Sequence, residues 1–192
     1  MKGEWCYFKN YVDKETCDKI IRDVQILPTQ EARVGKKNEN VNSSVRRTKI
    51  KFIHAGDWRF QYIFDLFWKT AISANDDFFL FHISRLNFVQ FAEYNSNELA
   101  EYKPHHDVFW LNDDAVYHRK LSAMIQLSDE NSYDGGNFEI VDPSVSLTPL
   151  AEDIRKQGTI LYIPSFIKHQ VTQVTRGVRY SLVAWFEGKK WT

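Results

Sequence analysis

Two histidines and an aspartate are spaced in this sequence as ligands of a non-haem iron centre would be. His105 and Asp107 are separated by one residue, and in an extended segment residues i and i+2 point to the same side. His169 would supply a second imidazole from a distant strand. Two histidines and one carboxylate on one face of a metal leave positions open for a co-substrate and O2, as in non-haem Fe(II) centres. His-x-Asp is a short pattern that also arises by chance, so the prediction depends on the C-terminal segment as well.

The segment after His169 contains an anion-binding pattern. Arg179 and Ser181 share one face of a predicted strand that alternates in hydrophobicity through Trp185. A guanidinium can hold a carboxylate through two parallel hydrogen bonds, and a neighbouring hydroxyl can add one more. A dicarboxylate such as 2-oxoglutarate would use both functions, with one end on iron and the other on this cation. The alternative is a surface ion pair on an edge strand, which does not explain why Gly177 and Ser181 accompany the arginine.

Several motifs in family order resemble those of prolyl 4-hydroxylases and of the bacterial and phage hydroxylases in their superfamily. The segment 102–109 is similar to the Tyr-x-Pro-His-x-Asp-x-Phe block of prolyl 4-hydroxylases. Segments 119–128 and 133–140 resemble the next two core strands. The Pro-Ser-Phe-x-x-His block at 164–169 and the Gly-x-Arg-x-Ser-Leu-Val-x-Trp block at 177–185 are similar too. Because the likeness covers roughly residues 85–187, coincidence is improbable.

The resemblance implies a ligand set and a co-substrate. Fe(II) would be bound by His105, Asp107 and His169, and 2-oxoglutarate would be held at its far carboxylate by Arg179 and Ser181. O2 would be the oxidant, and ascorbate is a candidate reductant. Many prolyl 4-hydroxylases have lysine at the position of Arg179, whereas the oxygen-sensing and bacterial branches have arginine.

Three further residues are candidate co-substrate contacts through the same resemblance. Ser122 matches a position where a threonine contacts 2-oxoglutarate, and Tyr94 matches a tyrosine that does likewise. Gln126 departs from the family pattern, because some relatives have there a tyrosine that helps to bind 2-oxoglutarate. For Tyr94 the alternative is a buried tyrosine that satisfies its hydroxyl locally.

The implied activity is hydroxylation of proline within a protein or peptide, coupled to oxidative decarboxylation of 2-oxoglutarate to succinate and CO2. Other members of the superfamily hydroxylate free amino acids or repair alkylated nucleic acid, and a non-enzymatic ligand-binding jelly roll is a further alternative. The nucleic-acid alternative draws on a basic cluster, but a formal net charge of zero argues against it. The basic cluster consists of Arg33, Lys36, Lys37, Arg46, Arg47, Lys49 and Lys51.

Composition predicts a compact enzyme of one domain. The 192 residues include 14 Phe, 9 Tyr and 6 Trp, which supply apolar surface for a layered β structure. The two cysteines, Cys6 and Cys17, could pair with each other but make no dense disulfide framework, and Cys17 lies on the apolar stripe of a predicted helix. The N-terminus opens no secretory hydrophobic region, and no apolar run approaches the length of a membrane span, so we expect a cytoplasmic protein without membrane contact.

The pattern of short segments predicts a mainly β fold with flanking helices, a double-stranded β-helix (jelly roll) buttressed by N-terminal helices. Residues 1–192 are expected to form one oxygenase domain, with 1–77 as support and 78–187 as the jelly-roll core. Helices are predicted from Asp13 to about Leu27 and from Asp57 to about Ala74. The polar segment 33–47 is a candidate substrate lid or a plain connection. Strands are predicted at 5–12, 78–94, 102–109, 119–128, 136–141, 158–163, 168–174 and 178–186.

The segment 120–128 offers an internal test, because its two faces differ. Leu121, Ala123, Ile125 and Leu127 form an apolar face, whereas Ser122, Met124 and Gln126 form a partly polar face that should line a pocket. Gly135-Gly136 predicts a tight turn or a close backbone approach. The remaining histidines are interpreted as structural or solvated, with His118 in a polar turn; they are His54, His82, His106 and His118.

Overall fold

Two antiparallel sheets face each other in the computed structural model, which describes residues 3–32, 44–108 and 116–191. Within those residues the larger sheet has the order β1-β10-β7-β12-β5-β4-β2, with β8 paired to β12, and the smaller has the order β3-β6-β11-β9. The strands are β1 (Cys6–Phe8), β2 (Gln30–Glu31), β3 (Arg46–Arg47), β4 (Lys49–His54), β5 (Phe88–Asn95), β6 (Glu101–His105), β7 (Tyr117–Gln126), β8 (Tyr133–Gly135), β9 (Phe138–Ile140), β10 (Ile160–Pro164), β11 (His169–Val171) and β12 (Val174–Lys189). The arrangement confirms the predicted jelly-roll class.

Two helices cover the outer face of the larger sheet. They are α1 (Lys14–Asp23) and α2 (Gln61–Ala74), and a short α3 (Ala151–Ile154) precedes β10. Asp13 caps α1 as predicted, since its Oδ1 accepts a 2.7 Å hydrogen bond from the Thr16 amide. No helix in the described part of the chain is long and apolar enough to cross a membrane. One core cluster joins helix to sheet; it includes Cys17, Ile20, Ile63, Phe67, Leu121, Ile125, Leu182 and Phe186.

The two faces of β7 separate as the sequence predicts, except that Gln126 does not line the cavity. Leu121 and Ile125 belong to the core under the helices, whereas Ser122 and Met124 line a cavity between the sheets. A bulge interrupts the alternation at Lys120. Leu121 pairs with Phe186 and Arg119 pairs with Glu187. Phe186 and Glu187 are neighbours in β12, so Lys120 is an extra residue in β7. An extra residue in one strand reverses the face of the residues beyond it. Arg119 therefore lines the cavity instead of following Leu121 into the core.

The N-terminal part of the chain differs from the prediction in several places, and the short strands β2 and β3 were not predicted. β4 was not predicted, yet it pairs with β5 along its length and extends the larger sheet. The predicted strand 78–94 is wrong before residue 88, because Asn75–Phe79 forms a π-helical turn. The Asn75 side chain stabilises the segment after this turn. Its Nδ2 donates to the Phe81 carbonyl and its Oδ1 accepts from the Phe81 amide, each at 2.9 Å. Of the candidate lid, residues 33–43 lie outside the described residues and 46–47 form β3.

Candidate metal and co-substrate site

The register of β6 and β11 places His105 directly opposite His169. Asp107 lies just beyond β6, where its amide donates a 2.9 Å hydrogen bond to the Ser165 carbonyl. Its Oδ1 is 3.7 Å from Nε2 of His105, and its Oδ2 is 3.6 Å from Nε2 of His169. Ligand atoms of the three residues all lie within 4.8 Å of one another. The structure thus brings together the three predicted ligands around one point that a metal ion could occupy.

Both imidazoles are held in the tautomer that a metal requires. Nδ1 of His105 donates to the carbonyl of Lys103, and Nδ1 of His169 donates to the carbonyl of Ile167, each at 2.8 Å. Because a carbonyl oxygen only accepts, each Nδ1 carries the hydrogen and each Nε2 keeps its lone pair. Burial, together with the adjacent His169, lowers the pKa of His105, which favours the neutral ring.

The carboxylate of Asp107 is fixed by its own hydrogen bond. Ser122 Oγ donates to Oδ2 of Asp107 at 2.7 Å and also lies 2.9 Å from Ser165 Oγ. Burial alone would raise the pKa of Asp107, but the two histidines and the Ser122 hydroxyl hold that pKa below its ordinary value. Asp107 is therefore ionised at neutral pH, as a metal ligand must be.

Aromatic rings hold the planes of the two imidazoles. Tyr102 stacks on His105 with ring centroids 3.5 Å apart, and Phe138 stacks on His169 at 5.2 Å. The Arg46 guanidinium lies 4.4 Å from the centroid of the same Tyr102 ring. Neither Tyr102 nor Arg46 was predicted as part of the site, although Tyr102 belongs to the motif that contains His105.

Arg179 is a buried cation without a carboxylate partner among the described residues. Arg179 is only 1% exposed, and no acidic side chain in the described ranges lies within ion-pair distance of its guanidinium. Nε donates to Gln126 Oε1 at 3.1 Å, Nη2 contacts Met124 Sδ at 3.1 Å, and Nη1 is buried with no hydrogen-bond partner there. An uncompensated buried charge is costly, so this arrangement fits an anionic ligand.

The metal-ligand cluster and Arg179 share one cavity of about 570 Å³ between the sheets. Along β12, residues Arg179, Ser181, Val183 and Trp185 face it in succession. At about 3.3 Å per residue, Arg179 and Trp185 lie roughly 20 Å apart along the strand. The cavity therefore has a cationic end at Arg179, and Trp185 lies toward the opposite end.

Aromatic side chains form that opposite end, which we call the aromatic end: Phe52, Phe88 and Trp185. Phe88 meets Phe52 edge-on at 5.3 Å and Trp185 at 5.8 Å. The Arg119 guanidinium lies 4.0 Å from the Trp185 ring, and Nε1 of Trp185 is buried with no partner in the described structure. Sequence reasoning missed Phe52, because β4 was not predicted, and missed Arg119, because of the β7 bulge. Phe88 lies in the predicted strand 78–94 but was not assigned to the site.

The other predicted contacts lie in different positions relative to the cavity. Tyr94, Ser122 and Ser181 line it, and Tyr94 is the cross-strand partner of Arg179. Gln126 does not line it; its Nε2 donates to the Ser128 carbonyl at 3.2 Å and to the Tyr133 hydroxyl at 3.1 Å. Gln126 therefore lies behind Arg179.

The histidines outside the cluster are mostly solvated, as predicted. His54, His82 and His106 are exposed, and His106 lies at the rim of the cavity. The placement of His118 in a polar turn was wrong, because it is buried within β7 and its Nδ1 accepts a hydrogen bond from the Trp191 amide.

Gly136 allows the turn after β8 to approach Arg179. Its φ is +60°, and an added Cβ would lie 2.8 Å from Val174 Cγ2 and 3.1 Å from Arg179 Cδ. The predicted close approach at Gly135-Gly136 is thereby confirmed.

Comparison with known proteins places the chain in a family. The sequence pattern of the 2OG-Fe(II) oxygenase superfamily matches residues 89–187, which is more than half of the chain, and the protein belongs to that superfamily.

Solved structures with a similar fold include prolyl hydroxylases. A Pseudomonas putida prolyl-4-hydroxylase superposes with a TM-score of 0.71 at 17% identity, covering 96% of this chain and 93% of that one. A Trichoplax adhaerens prolyl hydroxylase, solved with a peptide of a hypoxia-inducible factor, gives a TM-score of 0.74 at 16% identity, covering 95% and 83%. At such low identity the likeness shows the fold.

Curated relatives match over a shorter stretch. A PKHD-type hydroxylase of Synechococcus sp. is 42% identical over 67 residues, which is 35% of this chain and 29% of that protein. A PKHD-type hydroxylase of Cupriavidus metallidurans is 40% identical over 68 residues, covering 35% and 28%. The chain thus matches less than a third of the length of these relatives.

Proposed function

We propose that this protein is an Fe(II)- and 2-oxoglutarate-dependent hydroxylase that acts on proline within a protein or peptide. The observation that carries the proposal is the buried Arg179, which has no carboxylate partner in the described residues and shares a cavity with His105, Asp107 and His169. A metal-ligand cluster and a fixed cation in one cavity suit a co-substrate that chelates a metal at one end and carries a carboxylate at the other.

The residues have distinct tasks in this proposal. His105, Asp107 and His169 would hold Fe(II), which together with 2-oxoglutarate supplies the oxidising chemistry and releases succinate and CO2. Arg179 and Ser181 would orient the far carboxylate. Burial of these groups excludes water from the cation, which strengthens its attraction for the carboxylate. Ascorbate as reductant and the cytoplasm as compartment belong to the same proposal.

The aromatic end is the proposed substrate subsite. Phe52, Phe88 and Trp185 offer flat apolar faces that suit a pyrrolidine ring, and the unpartnered Nε1 of Trp185 can donate to a carbonyl of a peptide backbone. The names of the two structural relatives above support the choice of proline. Residues 33–47 remain a candidate lid in this proposal.

The described part of the basic cluster gives little support to a nucleic-acid substrate. Arg47 is paired with Glu101 and Lys49 with Glu98, while Lys51 donates to the Leu27 carbonyl at 2.8 Å. A phosphate backbone is recognised by cations that are free to meet it. Hydroxylation of a free amino acid is the second candidate function, because the carboxylate of a small substrate could meet the Arg119 guanidinium beside the aromatic end.

The test is succinate release with three panels of substrates: proline-containing peptides, free amino acids and alkylated oligonucleotides. We expect succinate release that depends on substrate only with the peptide panel, together with a mass gain of one oxygen on proline. Coupling only to free amino acids or oligonucleotides would reject the prolyl assignment and keep the oxygenase. No succinate release with any panel, nor without substrate, would reject the activity itself.

A further inference from the structure

We propose that Gln126 is a positioning residue that holds the Arg179 guanidinium in the orientation needed to meet a dicarboxylate. The inference rests on the proposed function, and it gives Gln126 a role that differs from direct contact with the co-substrate.

Those hydrogen bonds fix which way the amide points. Nε2 donates to the Ser128 carbonyl, which can only accept, and to the Tyr133 hydroxyl. Oε1 must therefore face Arg179, where it accepts from Nε at 3.1 Å. Both amide hydrogens are then in use, and Gln126 is 1% exposed and absent from the lining of the large cavity. It has no donor left for a co-substrate carboxylate.

The other contacts of the guanidinium are weaker. Met124 Sδ lies 3.1 Å from Nη2, and the Tyr94 ring centroid lies 5.4 Å from Cζ. Sulfur is a weak acceptor, and an arginine side chain has much rotamer freedom to lose. Gln126 is the one oxygen acceptor of Arg179 within the described ranges. With Nε engaged, the Nη edge, including the buried and unpartnered Nη1, is the edge left for a ligand.

The position of the guanidinium also determines which ligand fits. A diacid that chelates the metal at one end reaches Arg179 only if its chain spans the distance between them. Releasing Nε from Gln126 would let the guanidinium move along the cavity. Loss of Gln126 should therefore weaken 2-oxoglutarate binding and also reduce the preference for 2-oxoglutarate over the longer 2-oxoadipate.

The test is a double-mutant cycle on binding, measured by calorimetry with the Mn(II)-loaded protein so that no turnover is needed. Gln126→Met, which keeps the volume and removes the acceptor, should raise the Kd of 2-oxoglutarate roughly ten-fold. In an Arg179→Ala background the same substitution should add nothing, because Gln126 acts through the arginine. Equal weakening in both backgrounds would show direct contact with the co-substrate and overturn the inference.

A matched control separates this effect from general loss of packing. Gln157→Met makes the same replacement where the amide donates to the Leu127 carbonyl at 2.8 Å, at the end of β7 and away from the cavity. It should leave both the Kd and the preference over 2-oxoadipate at wild-type values. Mn(II) affinity should be unchanged in Gln126→Met, and its loss there would overturn the inference.

A second variant covers the case in which Gln126→Met does not fold. Tyr133→Phe removes one of the two acceptors that hold the amide, so a smaller loss of 2-oxoglutarate affinity should appear and should again vanish without Arg179. If the loss of affinity persisted in the Arg179→Ala background, Gln126 would not act through Arg179 and the inference would be wrong. Failure of the wild-type protein to bind 2-oxoglutarate would instead overturn the proposed function and, with it, this role.

Discussion

Ser122 Oγ donates a 2.7 Å hydrogen bond to Oδ2 of Asp107, from the strand that faces the metal-ligand cluster. The resemblance implies that Ser122 contacts the co-substrate, and this bond gives its hydroxyl the further task of orienting the Asp107 carboxylate. Partners of this kind typically change metal affinity by about 10–100-fold when removed.

Ser122→Ala should accordingly weaken Mn(II) or Fe(II) binding by about one order of magnitude, as measured by anaerobic metal titration. Ser122→Thr keeps the hydroxyl and should bind metal as the wild type does. Asp107→Ala should abolish the weak visible charge-transfer band that Fe(II) with 2-oxoglutarate gives without oxygen. A Ser122→Ala protein with normal metal affinity and impaired 2-oxoglutarate binding would show that Ser122 acts only on the co-substrate.

Arg179→Ala should raise the 2-oxoglutarate concentration needed for half-maximal succinate release by one to two orders of magnitude, given roughly 1.5–3 kcal/mol for a charged hydrogen bond. Metal binding should persist, because Arg179 contacts no ligand residue. Arg176→Ala is the matched control, since this exposed arginine of the same strand pairs with Asp134. Equal co-substrate requirements in the two variants would remove Arg179 from the site.

Gly136→Ala should both destabilise the fold and weaken 2-oxoglutarate binding, because its Cβ would press on Val174 and Arg179 at a positive φ. Gly56→Ala isolates the backbone cost, since φ is +91° there but an added Cβ meets nothing within 4 Å. That control should lose about 1–2 kcal/mol of unfolding free energy and keep its co-substrate affinity. Denaturant unfolding and calorimetry measure the two effects, and similar affinities in both variants would contradict the steric argument.

The two thiols should be unreactive in the folded protein. Burial raises the pKa of Cys6 and of Cys17 to about 12. Titration with a thiol reagent at pH 8 should therefore be slow until denaturant is added, and should then report two thiols. A raised folded-state pKa favours the fold fully below the unfolded value of about 9, so stability should fall as the pH rises from there toward 12. Rapid labelling at pH 8 would show that one site opens readily.

The positions of the candidate metal ligands could be predicted from sequence because they follow from local rules. Alternation along an extended segment puts His105 and Asp107 on one side, and the family motifs identify His169 and Arg179. Alternation likewise predicted the two faces of β7 up to Leu121. It failed at Lys120, where a bulge turns Arg119 into the cavity, because nothing in the local pattern marks the extra residue.

Long-range pairing explains the remaining differences. β4 was missed, since its place in the sheet depends on pairing with β5, and Phe52 reaches the cavity only through that pairing. The proposed role of Gln126 depends on its hydrogen bonds to Ser128, Tyr133 and Arg179. The spacing of these residues in the sequence does not show that they are in contact. Hydrogen-bond partners of a buried amide are a property of the folded strands and not of the motif.

Mutations at the two ends of the cavity should affect different ligands, the peptide at the aromatic end and 2-oxoglutarate at the cationic end. Phe88→Ala removes the ring that contacts both Phe52 and Trp185, so it should raise the KM for a proline-containing peptide about ten-fold or more, given the 2 kcal/mol or so that a buried aromatic contributes. Affinity for 2-oxoglutarate and slow succinate release without substrate should stay at wild-type values, the reverse of Arg179→Ala. Phe78→Ala, at an exposed ring outside the cavity, is the control for loss of an aromatic side chain. If Phe88→Ala instead weakens 2-oxoglutarate binding and spares the peptide KM, the aromatic end is not where the substrate binds.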